Sequence, residues 1–192
     1  MDARTAHFEA LYTARRDPWD YETSPYEAAQ YAATLNGLRR PRYGRALELG
    51  CSLGVLTEQL ADRVDALVAI DLAPTAVAAA VARLGGRPGV EVICAEAPAW
   101  WPDGSFDLIV LSEVLYYLDD AETARLAARV AASGGAVECV LVNWLGDTAT
   151  RLSGHAAAHR FITGLRGLRE VEVVVHDAPG TYAHHTLVLG TT

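Results

Sequence analysis

The sequence Glu48-Leu49-Gly50-Cys51-Ser52-Leu53-Gly54 has the composition of a tight turn that joins a strand to a helix. The apolar run RALELG at 45–50 leads into it, and VLTEQLADRV at 55–64, which has helical periodicity, follows it. Glycines in such a turn let the backbone bend sharply and approach a ligand with no Cβ in the way. The stretch therefore predicts a ligand-binding turn at the carboxyl end of a strand.

An acidic residue, Asp71, lies 21 residues after Gly50, at the end of the second apolar run, ALVAID. An acid at this distance can accept hydrogen bonds from ribose hydroxyls, so a cofactor that contains adenosine is expected. A dinucleotide-binding turn needs G-x-G-x-x-G, but Ser52 and Val55 occupy two of the three glycine positions. S-adenosylmethionine has no phosphate, and Glu48 is placed to take its ammonium group, directly or through water. The pattern therefore favours S-adenosylmethionine.

Outside this turn, the pattern alternates between strands and helices. The segment 1–40 is mixed and aromatic, and it predicts one or two helices around the loop DPWDYETSPYE. Ser24 as N-cap and Pro25 as the first helical residue predict a helix from about Tyr26 to Leu38. The remaining predicted elements are, in order, a helix at 74–84, strands at 90–96 and 106–114, a helix at 119–132, a strand at 136–144, a helix at 155–165 and strands at 171–177 and 182–190.

This alternation predicts an α/β fold with a mostly parallel sheet of seven strands and helices on both faces. The last two strands are close in sequence and predict an antiparallel hairpin around Pro179 and Gly180. With 192 residues, the chain is expected to form a single domain over 1–192, in which 1–40 is a helical lid segment. Ligands of such sheets lie at the carboxyl ends of the strands.

Several motifs give the sequence a family resemblance. LELGCSLGVLTEQLA, AIDLAP and FDLIVLSEVLYYLDD resemble class I S-adenosylmethionine-dependent methyltransferases, which implies a Rossmann-like fold. DPWDYETSPYEAAQYAATL, together with GCSLGVLTE and SEVLYYL, is similar to the nodulation protein S family, and the resemblance runs from about Phe8 to Phe161. Members of that family N-methylate a glucosamine amine on a chitooligosaccharide. The resemblance thus implies methyl transfer to the amine of a small molecule, such as an amino sugar or a related metabolite.

Candidates for cofactor binding lie at the strand ends and in the N-terminal segment. Glu96, after the third strand, is expected to accept from the adenine amino group; the alternative is a surface acid at a strand end. Trp19 and Tyr21 would form an aromatic lid, although a core contact with the first helix is the alternative for Trp19. Two roles are open for Cys51, that of a reactive thiol and that of a small residue in the turn. The predicted cofactor-binding residues are Trp19, Tyr21, Glu48, Gly50, Cys51, Ser52, Gly54, Asp71, Leu72, Glu96, Ala97 and Ser112.

Candidates for the acceptor site cluster around SEVLYYL, where Glu113 and Tyr117 are the predicted catalytic residues. Glu113 would orient or deprotonate the acceptor amine; alternatively, it caps the following helix or pairs with an arginine. Adjacent tyrosines cannot share one face, so one of Tyr116 and Tyr117 is expected to face the ligand and the other the fold. The predicted substrate-binding residues are Tyr26, Tyr31, Tyr116, Asn143, Trp144 and His155.

Two other functions stay open from the sequence. One keeps the enzyme class and changes the acceptor to a hydroxyl or carboxylate of a natural product, which gives O-methylation. The other is a non-catalytic cofactor-binding or partner protein that uses the fold as a scaffold.

The composition excludes several classes of function. All 16 basic residues are arginine, so no lysine is present for a Schiff base, a pyridoxal-phosphate anchor or a P-loop. The formal net charge of -8 argues against a general nucleic-acid binder. His155 and His159 have a spacing that suits metal ligands, but the glutamate of H-E-x-x-H is absent and no third ligand is evident. No metal and no nucleic-acid partner are therefore expected.

The cysteines and the N-terminus indicate the cellular setting. Cys51, Cys94 and Cys139 are far apart and have no CxxC spacing, which is unlike a disulfide framework or a zinc site. The N-terminus has no apolar core of the signal-peptide type, and no apolar run reaches the ~18 residues that span a bilayer. A cytoplasmic protein without membrane contact, monomeric or homodimeric, is expected.

Overall fold

The computed structural model describes residues 3–176 and 181–190. The chain divides into two compact units, Met1–Ala97 and Pro98–Thr192. Among the described residues, no helix combines the length and the apolar composition that crossing a membrane requires.

The first unit has three parallel strands with helices between them. Its elements are α1 Ala3–Ala14, α2 Pro25–Asn36, β1 Tyr43–Leu49, α3 Val55–Leu60, β2 Val64–Asp71, α4 Pro74–Leu84 and β3 Val90–Cys94. β2 is the middle strand and pairs with β1 and with β3. The register pairs Leu49 with Ile70, and Asp71 with Cys94, so the three strands end close to one level. The turn after β1 therefore lies beside the residues that follow β2.

The second unit combines parallel and antiparallel strands. Its elements are β4 Leu108–Ser112, a 3-10 helix Leu115–Tyr117, α5 Asp120–Ala131, β5 Val137–Trp144, α6 Gly154–Arg166, β6 Val171–His176 and β7 Tyr182–Leu189. β4 and β5 are parallel, whereas β7 is antiparallel to both β5 and β6. Ser112 pairs with Val142, so the residues that follow β4 lie beside the end of β5.

Local side chains determine where two of the helices begin. The Ser24 side chain accepts a hydrogen bond from the N–H of Glu27 at 3.4 Å, and Pro25 is the first residue of α2. α5 begins with a capping box, in which the Asp119 carboxylate accepts from the Glu122 N–H at 2.7 Å and the Glu122 carboxylate accepts from the Asp119 N–H at 2.8 Å. The predicted N-cap at Ser24 is confirmed.

The apolar runs of the sequence form buried strands. In β4, Leu108, Ile109, Val110 and Leu111 have 0% of their surface exposed. This burial is typical of a parallel strand that is covered on both faces. Each such side chain contributes about 1.5–3 kcal/mol when it is fully buried. The predicted central strand in FDLIVLSEV is confirmed.

Arginines bind backbone carbonyls where elements end, because one guanidinium has five donors. Arg63, just before β2, donates to three carbonyls in and after α2, those of Leu35 at 3.1 Å, Arg40 at 2.9 Å and Pro41 at 2.9 Å. Arg169 donates in the same way to three carbonyls of the second unit. These contacts fasten helix ends and loops to neighbouring strands.

The structure differs from the sequence prediction in the length of α3 and in the order of the last strands, besides the shorter β4 and the 3-10 helix that follows it. α3 ends at Leu60 rather than near residue 64, because Val64 is buried and pairs with Tyr43 as the first residue of β2. The last two strands are antiparallel, as predicted, but β7 lies between β5 and β6, so the last strand in sequence is an inner strand. The predicted turn at Pro179 and Gly180 lies outside the described residues.

Gly89 is a position where a side chain would strike the backbone. It has φ of +79°, and a Cβ there would lie 2.6 Å from the carbonyl oxygen of Asp65. We expect Gly89→Ala to lower the free energy of unfolding by roughly 3 kcal/mol, since left-handed backbone costs ~1–2 kcal/mol and the clash adds to it. Gly85→Ala is the matched control: φ is +58° and no atom lies within 4 Å of its Cβ, so only the strain remains. Urea unfolding measures both variants, and equal losses would contradict the expectation.

Candidate active site

The turn after β1 is built from residues with left-handed backbone conformation. Gly50 and Gly54 each have φ of 77°, and Ser52 has φ of 49°. The N–H groups of Gly50 and Cys51 both donate to the carbonyl of Ile70, at 2.8 and 3.0 Å. These bonds hold the turn against the end of β2. Because a residue other than glycine adopts this conformation at a cost of about 1–2 kcal/mol, Ser52 needs support from its neighbours.

Gly54 closes the turn and precedes α3. A Cβ at this position would lie 3.1 Å from the Cβ of Ala80, so the glycine allows α4 to pack directly against the turn. Cys51 is buried in the same cluster, with Ala69 and Ala80. Burial raises the pKa of the Cys51 thiol well above its usual range, so the thiol stays protonated at neutral pH. Its environment is that of a small packing residue rather than a reactive thiol.

Asp71 places a buried carboxylate beside the turn. Its Oδ2 accepts a hydrogen bond from the Ser52 N–H at 2.9 Å, and its Oδ1 accepts one from the Ala73 N–H at 2.9 Å. Burial raises the pKa of Asp71, and the backbone hydrogen bonds oppose that rise. A carboxylate oxygen can accept more than one hydrogen bond, so both oxygens keep capacity for a hydroxyl donor. This arrangement suits the two adjacent hydroxyls of a ribose.

Glu48, the acid before the turn, has only 2% of its surface exposed. Among the residues that the structure describes, its Oε2 has no hydrogen-bond partner within normal hydrogen-bond geometry. Burial raises the pKa of Glu48 to about 7; the Thr57 hydroxyl opposes the rise and the charge of Asp71 adds to it. A buried carboxylate without a partner costs free energy, which a cationic group at this place would offset. The site therefore fits an ammonium group.

The loop between α1 and α2 is ordered by its own hydrogen bonds. Asp17 accepts from the backbone N–H groups of Tyr21 and Glu22, each at 2.9 Å. The ring centroid of Trp19 lies 5.6 Å from that of Tyr21 and 5.7 Å from that of Tyr12, yet 37% of Trp19 is exposed. Trp19 is therefore a surface aromatic residue that packs on α1, not a core residue.

The two candidate tyrosines of α2 differ in depth. Tyr31 has 7% of its surface exposed, and burial raises the pKa of its hydroxyl. Tyr26 is half-buried. Tyr31 thus belongs to the core of the first unit, and Tyr26 is the one that has surface to offer a ligand.

Glu96 lies two residues beyond β3 and forms an ion pair with Arg4 of α1. Arginine was not among the partners expected for this carboxylate. The two neighbouring candidates are apolar. Leu72 packs against the apolar cluster that contains Tyr12, and Ala97 is half-buried. α1 thus reaches the end of the third strand.

In the second unit, Glu113 follows β4 with φ of 58°. Its Oε2 accepts hydrogen bonds from the Trp144 N–H, at 3.0 Å, and from the Tyr116 hydroxyl. Its own N–H donates to the Val142 carbonyl at 2.8 Å. Glu113 therefore joins the end of β4 to the end of β5, while Ser112, the last residue of β4, is half-buried beside it. Positive φ at a residue other than glycine is typical of functional sites.

Tyr116 and Tyr117 lie on the 3-10 helix, an element that the sequence did not predict. Their ring centroids are 4.6 Å apart; Tyr116 is buried and Tyr117 is half-buried. Burial raises the pKa of Tyr117, the Tyr116 hydroxyl opposes the rise, and the charge of Glu113 adds to it. The Tyr117 hydroxyl therefore stays protonated at neutral pH and is a donor rather than a base.

The three candidates around the end of β5 have different exposures. Asn143 has no exposed surface, and neither atom of its amide has a hydrogen-bond partner within the described part of the chain. Trp144 is half-buried, and its indole lies against Gly146, where a Cβ would be 2.4 Å from Nε1. His155 is exposed on the first turn of α6. In residues 3–176 and 181–190, no group of three His, Cys, Asp or Glu side chains could hold a metal ion.

Two residues of α1 that sequence reasoning missed contact the turns beside Asp71. The Tyr12 hydroxyl lies 2.5 Å from Ser52 Oγ. The Glu9 carboxylate accepts from the Thr75 N–H at 3.0 Å and from the Thr75 hydroxyl at 2.6 Å. The partners are 40 and 66 residues apart in sequence, and no motif marks them. The one available signal is the three-residue spacing that puts Glu9 and Tyr12 on one face of a helix.

Arg83 of α4 is a third contact that the sequence did not reveal. Its Nε donates to the Leu53 carbonyl at 2.9 Å, and its guanidinium pairs with Glu22 and Glu58. One side chain thus ties the N-terminal loop, the turn after β1 and α3 together.

A glycine turn after the first parallel strand and a buried acid at the end of the second are the features with which Rossmann-like folds bind a cofactor that contains adenosine. In this chain, as in the methyltransferases to which it is similar, they belong to a class I S-adenosylmethionine-dependent methyltransferase. The family model described as Nodulation protein S (NodS) matches residues 9–165. The chain belongs to the nodulation protein S family.

Relatives and solved structures agree with this assignment. Nodulation protein S of Bradyrhizobium diazoefficiens is 33% identical over 160 residues, which cover 81% of this chain and 77% of that protein. A putative methyltransferase from Pseudomonas syringae is 31% identical with a TM-score of 0.70, over 85% of this chain and 98% of that one. The N-methyltransferase NodS from Bradyrhizobium japonicum WM9, in complex with S-adenosyl-L-homocysteine, is 23% identical with a TM-score of 0.80, over 98% of this chain and 99% of that one. These likenesses confirm the predicted Rossmann-like fold, a mostly parallel seven-stranded sheet with antiparallel C-terminal strands.

The raised pKa of Glu48 has a consequence for stability. A glutamate in the unfolded chain ionises near 4.5, whereas Glu48 in the folded chain ionises near 7. Between these pH values, the folded chain holds a proton that the unfolded chain has lost, so stability falls as pH rises, by up to about 3 kcal/mol. Glu48→Gln cannot ionise, so its loss of stability between about pH 5 and about pH 8 should be smaller than that of the wild type, as measured by urea unfolding. Asp71 is present in both proteins, and equal losses of stability in the two would contradict the assignment.

Proposed function

We propose that the chain N-methylates a small-molecule acceptor that carries an amine, an amino sugar or a related metabolite, with S-adenosylmethionine as the methyl donor. The observation that carries this proposal is the family match over residues 9–165. It is supported by the solved NodS from Bradyrhizobium japonicum, which is described as an N-methyltransferase bound to S-adenosyl-L-homocysteine.

The first unit offers groups that fit the cofactor. Asp71 would accept both ribose hydroxyls, and the buried Oε2 of Glu48 would accept the ammonium group. Gly50 gives the turn a backbone without a Cβ in the way of a ligand, and Gly54 lets α4 pack against the turn. When bound, S-adenosylmethionine supplies a methyl group on a positively charged sulfur. The other proposed cofactor contacts of this unit are Trp19, Tyr21, Cys51, Ser52, Leu72, Glu96 and Ala97, and Ser112 of the second unit is a further proposed contact.

Glu96 would accept from the adenine amino group in competition with Arg4, its partner in the ion pair. Trp19 and Tyr21 would cover the cofactor and exclude water, for which the exposed face of Trp19 is suited. Both roles make the N-terminal segment part of the cofactor site.

The second unit offers groups that fit the acceptor. An amine reacts through its unshared electron pair, so a protonated amine must first give up a proton. Glu113, held by the Trp144 N–H and the Tyr116 hydroxyl, would accept the amine N–H, orient it and take that proton. Tyr117, which stays protonated, would donate a hydrogen bond to an oxygen of the acceptor.

The proposed substrate-binding residues fall into two groups by exposure. Tyr26, Trp144 and His155 have accessible surface, and an aromatic face suits the apolar side of a sugar ring. Tyr31, Tyr116 and Asn143 are buried, so their contribution would be to shape the site around the accessible residues.

The domain organisation, the cellular location, the oligomeric state and the absence of a nucleic-acid partner are part of the proposal. The chain would act as a single domain over 1–192, in the cytoplasm, as a monomer or homodimer and without a nucleic-acid partner. Its balance of 24 acidic residues against 16 arginines suits a cationic cofactor and an amine acceptor.

The cofactor assignment is tested at Asp71. We expect Asp71→Asn to bind S-adenosylhomocysteine roughly 10- to 100-fold more weakly, because hydrogen bonds from hydroxyls to a charged acceptor are lost. Asp65→Asn removes a carboxylate of the same strand that is 65% exposed, and it should bind like the wild type. Isothermal titration calorimetry measures both. Unchanged affinity in Asp71→Asn would exclude Asp71 from the site.

The acceptor class is tested with matched amino sugars. We expect the enzyme to methylate chitooligosaccharides that carry one free amine and to leave the fully N-acetylated oligosaccharide of the same length unmodified. Acetylation removes the nucleophilic electron pair and leaves every hydroxyl in place. Mass spectrometry detects the added methyl group, and NMR distinguishes an N-methyl from an O-methyl product. Methylation of both sugars, or an O-methyl product alone, would refute the amine assignment.

A further inference from the structure

The Asp71 carboxylate depends on two backbone donors that lie outside regular secondary structure. The Ser52 N–H binds Oδ2 and the Ala73 N–H binds Oδ1, each at 2.9 Å. Ser52 is in the turn after β1, and Ala73 is the residue that precedes α4. The orientation of the carboxylate therefore depends on what holds these two short segments in place.

The first segment is held by Tyr12 of α1. Ser52 has φ of 49°, a conformation that needs support, and its hydroxyl lies 2.5 Å from the Tyr12 hydroxyl. Tyr12 is 4% exposed and packs in an apolar cluster with Leu53, Ala73 and Ala76. The tyrosine is thus fixed in position, and its hydroxyl can fix the serine.

The second segment is held by Glu9 of α1. α4 has no capping side chain of its own at its first turn, because its N-cap residue is Ala73. Glu9 takes that place from another helix by accepting both the N–H and the hydroxyl of Thr75. These bonds lower the pKa of Glu9, so the carboxylate is ionised at neutral pH.

We propose that Tyr12 and Glu9, one turn apart on α1, are positioning residues that hold the two backbone donors of Asp71 and thereby aim its carboxylate at the ribose hydroxyls of the cofactor. This inference rests on the proposed function, which assigns those hydroxyls to Asp71. It predicts that the effect of Tyr12 depends on the ribose hydroxyls of the ligand. A residue that only stabilises the fold, or only covers the ligand, would not show that dependence.

The experiment compares two ligands by calorimetry, S-adenosylhomocysteine and its analogue that lacks both ribose hydroxyls. Tyr12→Phe keeps the buried ring and removes the hydroxyl that binds Ser52. We expect it to weaken the binding of S-adenosylhomocysteine roughly 3- to 10-fold, the effect of one hydrogen bond. We expect no change for the analogue, and a raised KM for S-adenosylmethionine with an unaltered kcat.

Four further variants complete the design. Tyr43→Phe removes another buried tyrosine hydroxyl of the first unit, one that accepts from the Arg40 N–H at 3.2 Å, and it should leave both affinities unchanged. Glu9→Ala should behave like Tyr12→Phe, whereas Glu9→Gln, which keeps an acceptor for the Thr75 N–H, should restore most of the affinity. In an Asp71→Asn background, Tyr12→Phe should have little further effect.

The outcomes separate the inference from the function on which it rests. If Tyr12→Phe weakens the analogue as much as the parent ligand, or if its effect adds fully to that of Asp71→Asn, the positioning role is overturned. If the wild type and Asp71→Asn bind S-adenosylhomocysteine equally, the ribose assignment itself has failed. Loss of affinity that requires the ribose hydroxyls, Asp71 and the Tyr12 hydroxyl together supports the inference.

Discussion

The carbonyl of Ile70 accepts two successive backbone N–H groups, those of Gly50 and Cys51, and the position of the turn after β1 depends on this shared acceptor. It holds the turn after β1 against the end of β2, which brings the Ser52 N–H to the carboxylate of Asp71. The strained backbone of Ser52 and the buried charge of Asp71 are each unfavourable alone. Because they meet in one hydrogen bond, each offsets part of the cost of the other.

This arrangement explains how much of the site could be predicted from the sequence. The glycine turn, Asp71 and the helix start at Ser24 are local or fixed-spacing signals, since backbone conformation and capping depend on residues close together in the chain. The contacts of α1 are different. Nothing in a sequence of twelve mixed residues says that Tyr12 will meet Ser52 or that Glu9 will cap another helix. Such pairs depend on tertiary packing, which local patterns do not encode.

The second unit shows the same division. β4 could be predicted, because a parallel strand that is buried on both faces needs a continuous apolar run. Its residues 108–111 form such a run, and none of them has exposed surface. The 3-10 helix after it was not, and neither was the positive φ of Glu113. That conformation results from the hydrogen bonds of Glu113 to the Val142 carbonyl and the Trp144 N–H, both about 30 residues away. Glu113 could be proposed from its place in the sequence, but its attachment to β5 could not.

Arginine supplies all the basic side chains of this chain other than histidine, including the guanidiniums of Arg63, Arg83 and Arg169 that bind backbone carbonyls. A guanidinium holds its proton throughout the physiological range, so it offers no unshared electron pair for alkylation. A lysine differs in this respect, because its neutral form carries the unshared electron pair that an activated methyl group alkylates. With no lysine in its sequence, this protein has no side-chain primary amine to compete with the acceptor for the methyl group.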